Sequence, residues 1–149
     1  MEESYFLDFL KETLMKVDIR PTFQRLKILE YLQEYRNHPT VDDIYKALSP
    51  NIPTLSKTTI YNTLSTFKES GIVNEVNIDG VETKYDIVTS PHGHFNCIEC
   101  GELTDFDCDF EAFKSKDLQN HKILKRNFFI QGICPSCLKK ITQKEKDVQ

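Results

Sequence analysis

Residues 56–71 read SKTTIYNTLSTFKESG, and their spacing predicts a helix from Ser56 to Ser70 with Ile60, Leu64 and Phe67 along one face, Ser56 as its cap and Gly71 as its stop. The period then changes. Ile72–Val76 and Glu82–Val88 read as strands flanking Asp79-Gly80, a dipeptide that tolerates positive φ at both turn positions. Helices running into a β-hairpin predict a winged helix. Upstream, Phe6, Phe9, Leu10, Leu14 and Val17 recur at helical spacing between about Ser4 and Val17. Thr22 can cap a helix from Phe23 to about Tyr35 that buries Leu26, Leu29 and Leu32. Thr40, with Asp43 three positions on, opens a third helix in the manner of a capping box, and Pro50 and Pro53 end it. A short helix, a turn and a second helix is the arrangement in which the second enters the DNA major groove. On that second helix Thr58, Asn62 and Ser65 lie opposite the apolar stripe, with Lys57 and Tyr61 on a flank. Such side chains can meet phosphates, base edges and thymine methyls. Arg20, Lys57, Thr58, Tyr61 and Asn62 are the candidate DNA contacts.

The second half has a different texture. Strand-like runs at about His94–Cys97, Glu102–Asp107 and Ile123–Ile133 surround an expected helix from Asp109 to Gln119, giving a small α/β domain. Thr89-Ser90-Pro91 reads as a hinge, because the residue before proline is pushed away from helix. The chain is therefore expected to be α+β, with a winged-helix domain at 1–88, a hinge at 89–93, and a zinc-containing dimerisation domain at 94–149. The polar tail from about Lys139 is expected to fray. A length of 149 residues suits one ordinary domain or two small ones supported by dimerisation, and excludes a catalytic barrel. Apolar runs are short, and Lys11 and Glu12 interrupt the N-terminal one, so neither a membrane span nor a signal peptide is expected. The net charge of −4 runs against the basic surplus usual in nucleic-acid binders. Splitting the chain after Ile87 does not change this. Arg20, Arg25, Lys27, Lys57 and Lys68 nevertheless gather near the reading element.

Four of the five cysteines form two C-x-x-C pairs, Cys97-Ile-Glu-Cys100-Gly and Cys134-Pro-Ser-Cys137. Without an export signal they point to a cytoplasmic, reduced setting and to metal rather than disulfides. Two intervening residues let both thiolates of a pair reach one ion from a tight turn, and four thiolates favour tetrahedral zinc. Reduced buried cysteines and a rubredoxin-like iron centre are the alternatives. Cys108 belongs to neither pair and reads as buried or spare. A second constellation combines His92-Gly93-His94 with Asp86, Asp105 and the distant His38. Mixed imidazole and carboxylate donors suit Fe(II), Mn(II) or Zn(II), although each residue alone has an ordinary reading as a loop histidine or a solvated aspartate. A zinc hydrolase or deaminase needs an open metal position. The four-cysteine pattern looks closed and no His-x-Glu deaminase pattern is present, so no enzyme is expected.

Together these residues resemble the ferric uptake regulator family, and within it the peroxide-sensing repressors. The likeness runs through Arg20 with Thr22-Phe23-Gln24-Arg25, His38-Pro39-Thr40-Val41-Asp42-Asp43-Ile44-Tyr45, Thr58-Thr59-Ile60-Tyr61-Asn62-Thr63-Leu64, Tyr85-Asp86, His92-Gly93-His94 and both cysteine pairs. It implies a homodimer that binds a palindromic operator in double-stranded DNA when a regulatory metal is present, with zinc as the structural ion. It places Fe(II) or Mn(II) on His38, Asp86, His92, His94 and Asp105, and implies peroxide sensing by metal-catalysed oxidation of His38 or His92. Iron-uptake regulators resemble this pattern with glutamate at the positions of Asp86 and Asp105, and iron-responsive repression is the alternative function. Two departures stand out. Phe23 follows Thr22 where the family usually has proline, and Arg126 stands where many iron-uptake regulators carry a histidine.

Overall fold

In the computed structural model, which describes residues 2–78, 82–88 and 90–147, the chain divides into two units, Met1–Val88 and Thr89–Gln149. The first contains α1 (Glu2–Met15), α2 (Phe23–Tyr35), α3 (Val41–Leu48), α4 (Lys57–Glu69), β1 (Val73–Ile78) and β2 (Glu82–Ile87). The caps explain where the helices begin. Thr22 accepts the Arg25 N–H at 3.4 Å and Ser56 accepts the Thr59 N–H at 3.1 Å. At α3 the box is reciprocal: Asp43 N–H donates to Thr40 at 3.1 Å while Thr40 N–H donates to the Asp43 carboxylate at 2.9 Å. Such caps are worth roughly 1 kcal/mol each. Phe23 in place of proline does not move the start of α2.

The end of α4 explains how the hairpin follows so closely. Gly71, at φ 80°, lets its N–H reach the Lys68 carbonyl at 3.1 Å while the Ile72 N–H reaches the Phe67 carbonyl at 2.8 Å. This is a Schellman stop, which needs a residue tolerant of the left-handed region. β1 then pairs antiparallel with β2, from Val73 opposite Ile87 to Ile78 opposite Glu82. The expected turn at Asp79-Gly80 lies outside the described residues, as does Thr89 of the expected hinge. Leu10, Leu14, Ile28, Leu29, Leu32, Ile44, Ile60, Leu64 and Phe67 form the helical core, and Val73, Tyr85 and Ile87 close the hairpin onto it. Leu26, expected inside, is partly buried and packs against this core.

The second unit holds β3 (His92–Cys97), β4 (Leu103–Asp107), β5 (Phe129–Gly132) and α5 (Pro135–Asp147). The strand order is β4-β3-β5, with β3 antiparallel to β4 and parallel to β5. Three sequence expectations are corrected here. The helix expected over Asp109–Gln119 is absent apart from a short 3-10 turn at Lys116–Leu118. Asp109 instead accepts the Glu111 N–H at 2.9 Å, a local bond that competes with helix. The Phe110 and Phe113 rings pack on Phe128, with centroids 5.0 and 5.6 Å away. The strand expected from Ile123 shrinks to Phe129–Gly132. The tail from Lys139 is helical through Asp147, because α5 starts on Pro135, which fits a first helical turn. No helix among the described residues is long and apolar enough to cross a membrane. Because Leu64 is fully buried, Leu64→Ala is expected to lower the unfolding free energy by about 2–5 kcal/mol, read from urea denaturation followed by circular dichroism.

Candidate metal centres and nucleic-acid face

Cys97 is the last residue of β3, and the chain turns at once: Gly101, at φ 73°, donates its N–H to the Cys97 carbonyl at 2.8 Å. The Ile98 N–H bonds the Gly132 carbonyl at 2.9 Å, which brings this turn beside the end of β5. Cys134 follows directly, and its carbonyl accepts the Leu138 N–H at 2.9 Å, so Cys134 precedes α5 and Cys137 sits in its first turn. The four sulfurs all lie within 4.8 Å of one another. Thiolates about 2.3 Å from one tetrahedral ion are about 3.8 Å apart, and Cys100 Sγ is 3.9 Å from Cys134 Sγ. The donor set and its spacing fit zinc.

The thiols are electrically unlike. The Cys134 N–H donates to Cys97 Sγ at 3.3 Å, and this bond, helped by the Cys100 N–H, lowers the Cys97 thiol to about 6. Cys137 is pushed up to about 12 by its bond to the Cys134 sulfur and by burial. Cys108 stands apart from the cluster. Burial, then the Asp107 and Asp109 carboxylates, push its thiol up, which keeps it a protonated, poor nucleophile.

The histidine and aspartate candidates form a pair in the first unit and a triplet in the second. In the first unit, the Tyr85 N–H donates to the Pro39 carbonyl at 2.9 Å, tying β2 to the loop between α2 and α3. The neighbours of that bond, His38 and Asp86, are both buried, with His38 Nε2 3.8 Å from Asp86 Oδ1. His38 holds φ at 49°, an uncommon conformation for a residue with a side chain and one found at functional sites. In the second unit, β-sheet register sets His94 opposite Asp105. His94 Nε2 lies 3.4 Å and His92 Nε2 3.8 Å from Asp105 Oδ1. These separations exceed a good hydrogen bond and approach the 3.0–3.4 Å, roughly, between neighbouring donors about 2.1 Å from one ion. His92 Nδ1 lies 2.9 Å from the Ser90 carbonyl. Donation there leaves Nε2 with the lone pair that binds metal.

Several positioning residues escaped sequence reasoning. A Cβ at Gly93 would fall 2.3 Å from the Phe106 ring, so the residue between the histidines has to be glycine while that ring covers it. His94 stacks on Phe129 at 5.5 Å between centroids. The Ser90 carbonyl has no residue-type signature at all. Arg126, at the departure from the family pattern, is ion-paired with Glu111 at 2.6 Å.

Of the candidate DNA contacts, Lys57, Thr58, Tyr61 and Asn62 are exposed on α4, Tyr61 at 57%. The Arg20 carbonyl accepts the Arg25 guanidinium at 3.0 Å. Lys57 is held by the Asp42 carboxylate of α3, a partner that the sequence did not suggest.

A helical unit ending in a hairpin, followed by a sheet unit with a four-thiol cluster, is an arrangement suited to metal-dependent binding of DNA. Residues 16–131 match the ferric uptake regulator family. The peroxide operon regulator of Bacillus subtilis is 40% identical over 132 residues, covering 87% of this chain and 91% of that protein. The ferric uptake regulator of Vibrio cholerae superimposes with a TM-score of 0.69 at 27% identity, over 83% of this chain and 98% of that one. The structure of PerR from Streptococcus pyogenes, described for peroxide sensing and gene regulation, gives a TM-score of 0.51 at 33% identity, over 88% and 92%. The chain belongs to the ferric uptake regulator family.

Because four thiols share one cluster, Cys97→Ser is expected to lower zinc content and thermal stability together, read from metal analysis and thermal melting of the same preparation.

Proposed function

We propose that this chain is a peroxide-responsive repressor that binds a palindromic operator as a homodimer while a regulatory Fe(II) or Mn(II) is held by His38, Asp86, His92, His94 and Asp105. The observation that carries the reading is the donor set itself: His38 beside Asp86 in the first unit, and His92 and His94 beside Asp105 in the second. Both carboxylates are aspartates, the residue type that the family resemblance associates with peroxide sensing. The 40% identity to a peroxide operon regulator supports the same branch. Residues 1–88 serve as the winged-helix DNA-binding domain and 94–149 as the dimerisation domain; of the expected hinge at 89–93, His92 and Gly93 already belong to β3. Cys97, Cys100, Cys134 and Cys137 hold structural zinc, whose sulfur spacing they already match.

When bound, Fe(II) would supply the electron that splits peroxide beside its ligands. The chain's own residues do the rest. Ser90 fixes the His92 tautomer, Phe129 and β4 orient His94, and the Tyr85–Pro39 bond holds His38 by Asp86. The family resemblance marks His38 and His92 as the rings that would take up oxygen from peroxide, after which the ligand set would weaken and DNA be released. An ion drawing ligands from both units favours the arrangement in which all five can reach it, which is how an effector shifts a population. Arg20, Lys57, Thr58, Tyr61 and Asn62 contact the operator. Exposed Ile98, Leu124, Ile130 and Leu138 give the second unit apolar surface for a second copy. The reading places the protein in the cytoplasm.

With Fe(II), peroxide is expected to abolish operator binding and add oxygen to a tryptic peptide containing His38 or His92; with Mn(II), binding should persist. Gel shifts and mass spectrometry on the same samples decide it. Fe(II)-dependent binding that survives peroxide without histidine oxidation would favour iron-responsive repression instead. Tyr61→Ala should weaken operator binding by about 1–3 kcal/mol with metal content unchanged, and an unaltered affinity would remove α4 as the reader.

A further inference from the structure

Asp42 and Asp43 are adjacent acids in the first turn of α3, yet they act on different helices. Asp43 completes the capping box on Thr40. Asp42 reaches out of its helix: its carboxylate takes the ammonium of Lys57, the first residue of α4, and that of Lys46 at 3.1 Å. The Lys57 ammonium also lies 5.5 Å from the centroid of the Tyr45 ring. Both lysines pull the Asp42 carboxyl below its ordinary value, Lys57 more than Lys46.

This pair is solvent-exposed, with side-chain exposures of 56% for Lys57 and 38% for Asp42, so it adds little to stability. Its position is what matters. A cation in the first turn of α4 has the wrong sign for the helix dipole, so Lys57 is not there to stabilise the helix. A helix N-terminus with a lysine attached is suited to a phosphate, and the same face carries Thr58, Tyr61 and Asn62. At that place Asp42 presents an oxyanion gripped by two ammonium groups, as a phosphate would be.

We propose that Asp42 is an internal phosphate mimic that occupies Lys57, the first residue of α4, and Lys46 of α3, and so holds down the chain's sequence-independent affinity for DNA. The proposal rests on α4 being the DNA-facing helix. On a random duplex, phosphate has to compete with a tethered carboxylate. Neutralising Asp42 frees both lysines for phosphate and raises affinity for duplex DNA whatever its sequence.

The test uses the Mn(II)-loaded full chain and a mixed-sequence duplex, with affinity measured by fluorescence anisotropy across a salt series. Asp42→Asn is expected to bind several-fold more tightly at low salt. Its log–log salt slope should be steeper by about 1–2, because each added phosphate contact contributes about 0.9. Asp42→Glu should stay near wild type, and Lys57→Met in the Asp42→Asn background should remove most of the gain. Melting curves of all variants should coincide, as the pair is exposed. Asp42→Asn binding with unchanged slope and equal or lower affinity would overturn the mimic while leaving α4 as the DNA face. Absence of salt-dependent duplex binding by the wild-type chain would overturn both.

Discussion

The second unit buries very little carbon. Among the described residues its interior is Cys97, Cys134 and Cys137, with Phe95 and Ile133 packed against them, while Ile98, Leu124, Ile130 and Leu138 face outward. So few apolar side chains cannot offset the entropy of ordering a sheet and a helix, and the small unit needs an interior of another kind. Four sulfurs at metal-binding distances supply it, since ligation free energy acts as folding free energy. The constraint reaches further than the cluster. Cys97 ends β3 and Cys134 follows β5, so drawing the sulfurs together fixes the parallel pairing of these strands. β3 also carries His92 and His94. The cluster thus also sets the strand that carries two of the candidate regulatory ligands.

The first unit solves the opposite problem. Its helices and hairpin enclose a continuous apolar core, so polar residues can be placed at its edges without endangering the fold. The Tyr85–Pro39 bond is where this becomes functional, because it joins two segments remote in sequence and leaves His38 next to Asp86. The left-handed backbone of His38 is tolerated there because a rigid helix core lies on both sides of the loop.

Much of this was legible where the signal is local. Thr22, Thr40 and Ser56 announce helix starts, Gly71 announces a stop, and the cysteine spacing announces a cluster, because each depends on residues a few positions apart. The failures came where distant packing overrode local preference. Asp109–Gln119 has helical spacing, but its aromatic rings are claimed by Phe128 and its first turn by the Asp109 side chain. The tail after Lys139 is polar enough to fray, yet its helix is anchored at Cys134 and Pro135. The requirement for glycine between His92 and His94 follows from Phe106 on the neighbouring strand, which sequence spacing alone does not bring into view. The ligand types were readable; the backbone carbonyls and rings that orient them were not.

The acidic balance of the chain looks hostile to DNA only if charges are summed. Several acids of the first unit and one of the second are locally engaged: Asp43 by a helix cap, Asp42 by Lys57 and Lys46, Glu75 by Lys68, and Asp86 and Asp105 beside histidines. At physiological salt a charge is screened within about 8 Å, so these local pairings, not the total of −4, govern what a phosphate meets at α4. The same screening limits how a metal ion could influence α4 through its field. A mechanical route is available within the first unit. His38 lies on the loop that leads into the Thr40 cap, the cap starts α3, and Asp42 in the first turn of α3 grips the first residue of α4. In the proposed function, ligation at His38 and phosphate contact at Lys57 would act on opposite ends of one short segment. What such a segment transmits is a change in its own position, which requires two arrangements of nearly equal energy. An exposed ion pair, worth little in either arrangement, leaves that balance open to both ligands.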